Sequence, residues 1–159
     1  MALNDTPSFG EIVVNPAWKI AVIHTVWHGE LTKSLMMQCR DRLIERGIPS
    51  ENVLSILAPG SFEAPLFAKH AFLDRGCDAV VVFGIIVQGA THHAELVAKE
   101  AARACMQLQQ DTGKPVTFEV LFVNTLDDAK QRSIGKNSKG PLAADTVLTS
   151  LAQLAQLRS

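Results

Sequence analysis

The sequence predicts one α/β domain spanning residues 1–159, a three-layer α/β/α sandwich around a central four-stranded parallel sheet. Apolar β-branched runs alternate four times with segments of helical spacing, a pattern typical of parallel strands joined by crossover helices. The run at 79–87, AVVVFGIIV, is apolar on both faces, as expected for a central strand covered by helices. Hydrophobic residues make up 47% of the chain and charged residues 19%, so we expect a folded core.

Strands are predicted where β-branched residues run together between turn residues. The short run EIVVN ends at Pro16, and the run WKIAVIHTV that follows is long enough for a buried strand. The run PVTFEVLFV supplies the last strand of the main set. In order, the predicted strands are 11–15, 18–26, 53–57, 79–87 and 115–123.

Helices are predicted where apolar residues recur three or four apart and a stop signal follows. The first helix carries leucines on one side and ends at Gly47, a C-terminal cap. The second follows the turn APGS, with Ser61 as its cap, Pro65 in its first turn and Gly76 after its end. In order, the predicted helices are 28–46, 62–75, one that follows the turn 88–91 and runs to about 110, 126–132 and 141–157.

Composition and charge exclude several classes of protein. Lys and Arg number 15 against 16 Asp and Glu, so the chain lacks the basic excess of a nucleic-acid-binding protein. No apolar run approaches 18 residues, and the polar start, expected to be flexible over 1–10, does not read as a signal peptide. We therefore expect a cytoplasmic protein with neither a membrane nor a nucleic-acid partner.

The three cysteines, Cys39, Cys77 and Cys105, are an odd number and widely spaced. They form no CxxC or Cys/His pattern, which argues against a disulfide framework and against a zinc site. We interpret them as buried free thiols in a reducing compartment.

Ligands of open parallel sheets bind beyond the carboxyl ends of the strands, and one such end is rich in polar groups. Gly89 permits a tight turn, after which Ala90 and Thr91 offer backbone N–H groups at a helix start, an arrangement that favours an anion. An ordinary strand-to-helix turn fits these residues equally well. The next residues, His92 and His93, lie where the helix dipole disfavours imidazolium, which suits proton transfer.

Each remaining candidate has a plain structural alternative. A lone histidine is more often solvated than catalytic, and a metal site of His92, His93 and Glu95 is weaker still, because consecutive helix residues point apart. Trp27 either stacks on an aromatic ligand or packs in the core. Glu63 either contacts a ligand or complements the helix dipole. Two cations near the polar loop, Arg132 and Lys139, hold a phosphate or form a solvated basic face.

In combination the motifs resemble those of the lumazine synthase family, from about Lys19 to Leu154. The turn APGSFEAP at 58–65 is similar to the PGxxExP turn of that family, and GIIVQGATHH at 84–93 is similar to its G-x-V-I-R-G-x-T-x-H segment. The other matching segments are PVxF at 115–118, TLDDAKQR at 125–132 and KG at 139–140.

The resemblance implies a flavodoxin-like fold and a transferase of riboflavin biosynthesis. Members condense 5-amino-6-(D-ribitylamino)uracil with 3,4-dihydroxy-2-butanone 4-phosphate, without a metal or an organic cofactor. By position, His93 matches the catalytic histidine and Trp27 the stacking aromatic residue. The resemblance assigns the pyrimidine and ribityl group to Ser61, Phe62, Glu63, Ile85, Ile86, Val87 and, from the neighbouring subunit, Phe118. It assigns the phosphate to Ala90, Thr91, Arg132 and Lys139.

Some residues depart from the family pattern and bear on assembly. Trp27 and His28 stand where many members have Phe-Asn, Gln88 replaces a common Arg, and the loop from Arg132 to Lys139 is about one residue short. The family forms homopentamers, and the Trp-His pair resembles its second type, which is decameric. We therefore expect pentamers that pair into a decamer rather than a sixty-subunit shell, with the predicted strand at 11–15 pairing with a neighbouring sheet.

Two other functions fit the same fold. One is a non-catalytic module that binds a flavin or lumazine, and the other is a purely structural shell protein. Because flavin binding alone needs no proton carrier beside a phosphate site, the presence of both His93 and Arg132 favours the enzyme.

Overall fold

A computed structural model describes residues 7–159 of the chain. Strands and helices alternate along the sequence, with one short 3₁₀ turn at Ser50–Asn52 before the second strand. The strands are β1 (Ile20–Thr25), β2 (Val53–Ala58), β3 (Ala79–Val87) and β4 (Val116–Val123). The helices are α1 (Gly29–Glu45), α2 (Ala64–Arg75), α3 (His93–Thr112), α4 (Leu126–Ser133) and α5 (Lys139–Leu157).

The four strands form one parallel sheet in the order β2-β1-β3-β4, which confirms the predicted fold class. In the register of the sheet, Ile20 of β1 lies opposite Val53 of β2 and Ala79 of β3. The chain continues from β1 to β2 on one side and returns to β3 on the other. This reversal leaves a crevice at the carboxyl ends of β1 and β3, where ligands of such folds bind.

Helices cover both faces of the sheet, so β3 is buried on both sides. Val81 and Phe83 point into the core formed with α1, α4 and α5, which we call the α1–α5 core. Val80 and Val82 point into the core formed with α2 and α3, which we call the α2–α3 core. All four side chains are fully buried, which explains why this strand is a continuous apolar run.

The α1–α5 core is closed by tight helix packing. At Gly140 of α5, an added Cβ would lie 2.8 Å from the carbonyl oxygen of Leu35 in α1. Further along, Arg42 of α1 and Arg46 at its C-cap form ion pairs of 3.0 and 2.9 Å with Asp145 of α5. Burial alone raises the pKa of the Asp145 carboxyl, but hydrogen bonds from the two arginines hold it below its ordinary value.

The predicted strand at 11–15 is wrong for the single chain, because these residues pair with no strand within residues 7–159. Ile12 and Val14 pack against the α1–α5 core while Val13 is 73% exposed. The segment therefore keeps the alternating burial of a strand without its backbone hydrogen bonds. Residues 1–6 of the segment predicted to be flexible lie outside the described residues, and residues 7–10 form neither helix nor strand.

Most other boundaries differ from prediction by one or two residues, because helix and strand ends fray. Helix α2 begins at Ala64 with Glu63 at its N-cap, so the predicted cap, Ser61, does not cap it. Helix α5 begins two residues before Pro141, because Ser138 caps it and proline is tolerated in a first turn. Within residues 7–159, no helix is long and apolar enough to cross a membrane.

Candidate active site

A cavity of about 400 Å³ opens at the carboxyl edge of the sheet, a volume suited to a small molecule. It is bounded by the β1–α1 turn, the β2–α2 turn, the end of β3 and the start of α3. Its lining residues are Trp27, His28, Gly60, Ser61, Phe62, Glu63, Ile85, Ile86, Val87, His93, Ala94 and Val97. Eight residues predicted to bind substrate or to act in catalysis thus meet in one cavity.

The β1–α1 turn carries an exposed aromatic residue and a strained histidine into this cavity. Trp27 is 71% exposed, so its indole is accessible rather than packed in the core. His28 has φ 54° and ψ 42°, the only positive φ among the non-glycine residues of the described chain. The turn is held by two threonine hydroxyls, since Thr32 donates to the Thr25 carbonyl at 2.6 Å and Thr25 donates to the Trp27 carbonyl at 3.2 Å.

The β2–α2 turn brings a carboxylate close to the indole. A Cβ at Gly60 would lie 3.0 Å from a Glu63 carboxylate oxygen and 3.3 Å from an indole carbon of Trp27, so a larger residue here would displace one of these two side chains. Beside it, Ser61 is 7% exposed and its Oγ lies over Gly84, where an added Cβ would collide with it. The two glycines therefore let the turn close onto the sheet and set the polar wall of the cavity.

The loop between β3 and α3 is held by its own side chains. The backbone N–H of Gln88 donates to the Val123 carbonyl at 2.8 Å, which extends the pairing of β3 with β4. The Gln88 side-chain amide donates to the carbonyls of Gly89 at 3.0 Å and Thr91 at 3.3 Å. Within residues 7–159, the N–H groups of Ala90, Thr91 and His92 have no hydrogen-bond partner.

The two neighbouring histidines have different surroundings. His93 is the first residue of α3 and lines the cavity, and its N–H donates to the Thr91 Oγ1 at 3.4 Å. His92 is the N-cap residue, and its side chain is 99% exposed and lies 3.6 Å from Glu95. Of these two histidines, His93 lines the cavity and His92 does not. Within the described residues, no group of three His, Cys, Asp or Glu side chains is arranged to hold a metal ion.

The other predicted ligand-binding residues do not line this cavity. Ala90 and Thr91 are exposed in the loop before α3. Phe118 is half-buried against the α2–α3 core, and Arg132 of α4 donates to the Asp128 carbonyl at 3.2 Å. Lys139 is the first residue of α5. One chain thus supplies aromatic, carboxylate and imidazole walls, while the predicted phosphate-binding cations lie elsewhere on the protomer.

Four of the lining residues are absent from the site predicted by the sequence. His28 follows Trp27 at the end of the first strand, so its place beside the cavity could be predicted. Its left-handed backbone conformation could not. Val97 follows from His93 by helical spacing, because residues three or four apart share one helix face. Ala94 lies directly after His93 and is not predicted by this spacing. Gly60 is part of the quoted turn, but its contacts with Glu63 and Trp27 are visible only in three dimensions.

The fold and the cavity define a doubly wound α/β protein with a small-molecule site at the carboxyl edge of its sheet. The model of the 6,7-dimethyl-8-ribityllumazine synthase family matches residues 17–155. The chain is 32% identical over 145 residues to a 6,7-dimethyl-8-ribityllumazine synthase from Cytophaga hutchinsonii, an alignment that covers 91% of each chain. The chain therefore belongs to the 6,7-dimethyl-8-ribityllumazine synthase family, which confirms the resemblance found in its motifs.

Proposed function

We propose that the protein condenses 5-amino-6-(D-ribitylamino)uracil with 3,4-dihydroxy-2-butanone 4-phosphate, giving 6,7-dimethyl-8-ribityllumazine, phosphate and water. The amine attacks the ketone and forms an imine with loss of water. Phosphate is then eliminated, and ring closure loses a second water. Family membership supports the substrates, and the observation that carries the proposal is the cavity shared by His93, Trp27 and Glu63.

Each wall of the cavity suits one part of the pyrimidine substrate. The exposed indole of Trp27 stacks on the ring, and the strand end formed by Ile85–Val87 gives it an apolar edge. The β2–α2 turn offers Ser61, Phe62 and Glu63 to the hydroxyl groups of the ribityl chain. His93 moves the protons that imine formation and elimination require, so no metal or organic cofactor is needed.

We infer that the phosphate end of the site is completed by a second subunit. The N–H groups of Ala90 and Thr91, which have no partner in the described part of the chain, attract the phosphate, and Arg132 and Lys139 of the neighbouring chain neutralise it. Phe118 of that chain closes the pyrimidine side. Support comes from the position of these three side chains outside the cavity of their own chain.

A shared site requires a closed homo-oligomer, which we propose to be a pentamer, because repeated head-to-tail contacts close into rings. Two pentamers then form the decamer, as the Trp27–His28 pair and the short loop before Lys139 suggest. The segment 11–15, whose Val13 is exposed, pairs with the sheet edge of a neighbour.

We also propose a cytoplasmic location, where the three buried cysteines stay reduced. Burial raises the pKa of each of these thiols, so none is a reactive thiolate. A non-catalytic flavin-binding role is less well supported, since it gives His93 no task in the cavity.

A direct assay tests the reaction. The protein is mixed with the two substrates, and lumazine absorbance and phosphate release are followed against the spontaneous reaction. Matched release of lumazine and phosphate above the spontaneous rate is the expected result. No acceleration would overturn the proposed enzyme function.

A further inference from the structure

We propose that Gln88 is a positioning residue for phosphate binding, acting through the backbone of the loop 89–91. The inference rests on the proposed role of Ala90 and Thr91 as phosphate ligands. It adds a residue that contacts neither substrate but determines how that loop presents its N–H groups.

The side-chain amide of Gln88 spans the loop, and both of its N–H donors form hydrogen bonds with loop carbonyls. Its nitrogen carries two N–H donors, one for the Gly89 carbonyl at 3.0 Å and one for the Thr91 carbonyl at 3.3 Å. The backbone of Gln88 is itself fixed, because its N–H donates to the Val123 carbonyl of β4 at 2.8 Å. We call the two side-chain hydrogen bonds of Gln88 the clamp. It is anchored in the sheet through the backbone of Gln88 and binds both ends of the loop.

The clamp has opposite consequences for the carbonyl and the N–H groups of the loop backbone. The carbonyls of Gly89 and Thr91 are drawn toward the Gln88 amide, while the N–H groups of Ala90, Thr91 and His92 have no partner within residues 7–159. Free N–H groups attract an anion, whereas an untethered carbonyl oxygen that turns toward it repels it. Holding the carbonyls thus prearranges the N–H groups for phosphate.

The chemistry of the side chain distinguishes this role from direct phosphate binding. A neutral amide adds no charge to the site, and both of its donors are already engaged. Glutamate at this position has the same length but no donor for the carbonyls, and it brings a negative charge toward the phosphate. Methionine has a similar length and neither donor nor charge, so it removes the clamp alone.

The test is Gln88→Met, assayed for both substrates and for inhibition by inorganic phosphate. We expect the KM for the butanone phosphate and the inhibition constant of phosphate to rise together by about three- to tenfold, the size of one or two lost hydrogen bonds. The KM for the pyrimidine and the kcat at saturation should stay within about twofold, since the clamp does not touch the cavity wall. Gln88→Glu should weaken phosphate binding further.

Gln107→Met is the matched control. This substitution also removes a side-chain hydrogen bond, which the exposed Gln107 donates to Asp111 at 2.7 Å. Gln107 lies in α3, about 20 Å along the helix from His93. It should leave every constant unchanged. Calorimetry of phosphate binding to wild type and to both Gln88 variants gives a second measurement that needs no turnover.

The outcomes separate this inference from the proposed function. A wild-type protein that does not accelerate the condensation contradicts the function itself. Wild-type turnover together with unchanged phosphate constants in Gln88→Met and Gln88→Glu overturns the positioning role. An equal rise in KM for both substrates also overturns it, because it indicates general distortion of the site.

Discussion

At the scale of single residues, the two adjacent histidines differ because of where α3 begins. His93 starts the helix and faces the cavity, while the side chain of His92 lies in solvent. We expect His93→Ala to lower turnover about 10²–10⁴-fold, as for loss of a general acid or base. His92→Ala is the control and should retain wild-type rates in the same steady-state assay. A larger loss in His92→Ala than in His93→Ala would contradict the assignment.

Of the two tryptophans only one lies at the cavity, so ligand binding can be followed by fluorescence. Trp18 is half-buried against the α1–α5 core, whereas Trp27 is 71% exposed at the cavity. Riboflavin, added as a ligand analogue, should quench wild-type emission by stacking on the exposed indole. Trp27→Leu should remove most of this quenching, while Trp18→Phe keeps it. Quenching that survives in Trp27→Leu would place the ligand elsewhere.

At the scale of helices and strands, α5 packs closely against α1 at Gly140, where a larger residue would collide. Gly140→Ala adds a methyl group 2.8 Å from the Leu35 carbonyl and the Gln38 Cβ, so α5 must move away from α1. We expect a loss of about 1–3 kcal/mol in unfolding free energy despite the better helix propensity of alanine.

The matched control for this prediction lies in α1. Gly29→Ala adds the same methyl group at a helix position with nothing within 4 Å, so it should be neutral or slightly stabilising. Urea unfolding of both variants measures the difference. Equal stability of the two would show that the contact between α1 and α5 relaxes without cost.

The elements themselves were largely predictable because their signals are local. The apolar run of β3 and the glycines after α1 and α2 contain their own evidence of strand and helix ends. The segment 11–15 shows the limit, since alternation predicts an extended segment but cannot supply the strand that would pair with it. The same limit applies to the site. Ser61 to Glu63 are predicted together because they lie in one turn, whereas the positions of Phe118 and Arg132 relative to the cavity depend on tertiary structure.

At the scale of the whole molecule, stability should depend on pH through a carboxyl group inside the sheet. Glu119 of β4 is half-buried on the side of the α1–α5 core, and its carboxylate makes no hydrogen bond within residues 7–159. Burial raises its pKa to about 7, and the nearby Lys139 opposes this shift. Because the folded pKa exceeds the ordinary value of 4.5, the stabilisation is complete below pH 4.5 and is lost as pH rises through 7.

Glu119→Gln isolates this effect from other titrating groups. Burial, and secondarily Lys33, lower the pKa of His24, which makes the folded state more stable as pH rises and would mask Glu119 in the wild type alone. The variant should match wild type near pH 4.5 and exceed its unfolding free energy at pH 8 by about 3 kcal/mol, from ~1.4 kcal/mol per pKa unit. Parallel curves for the two proteins across this range would show that Glu119 stays ionised.

The assembly determines whether one chain has a complete active site. In a head-to-tail ring, each site would take His93 from one subunit and Arg132 from the next. His93→Ala and Arg132→Ala should each be nearly inactive alone. When equal amounts are unfolded together and refolded, about a quarter of the sites should combine an intact His93 with an intact Arg132, because neighbours are drawn at random.

Recovery of about a quarter of wild-type activity therefore supports the shared site, and refolding each variant by itself is the control. Light scattering on the same samples gives the size of the ring: about ten times 17.2 kDa for the decamer and about sixty times for a shell. A mixed oligomer of either size without recovered activity would mean that both residues serve the same chain. The distance between Arg132 and the cavity within one protomer would then have to close by movement of α4.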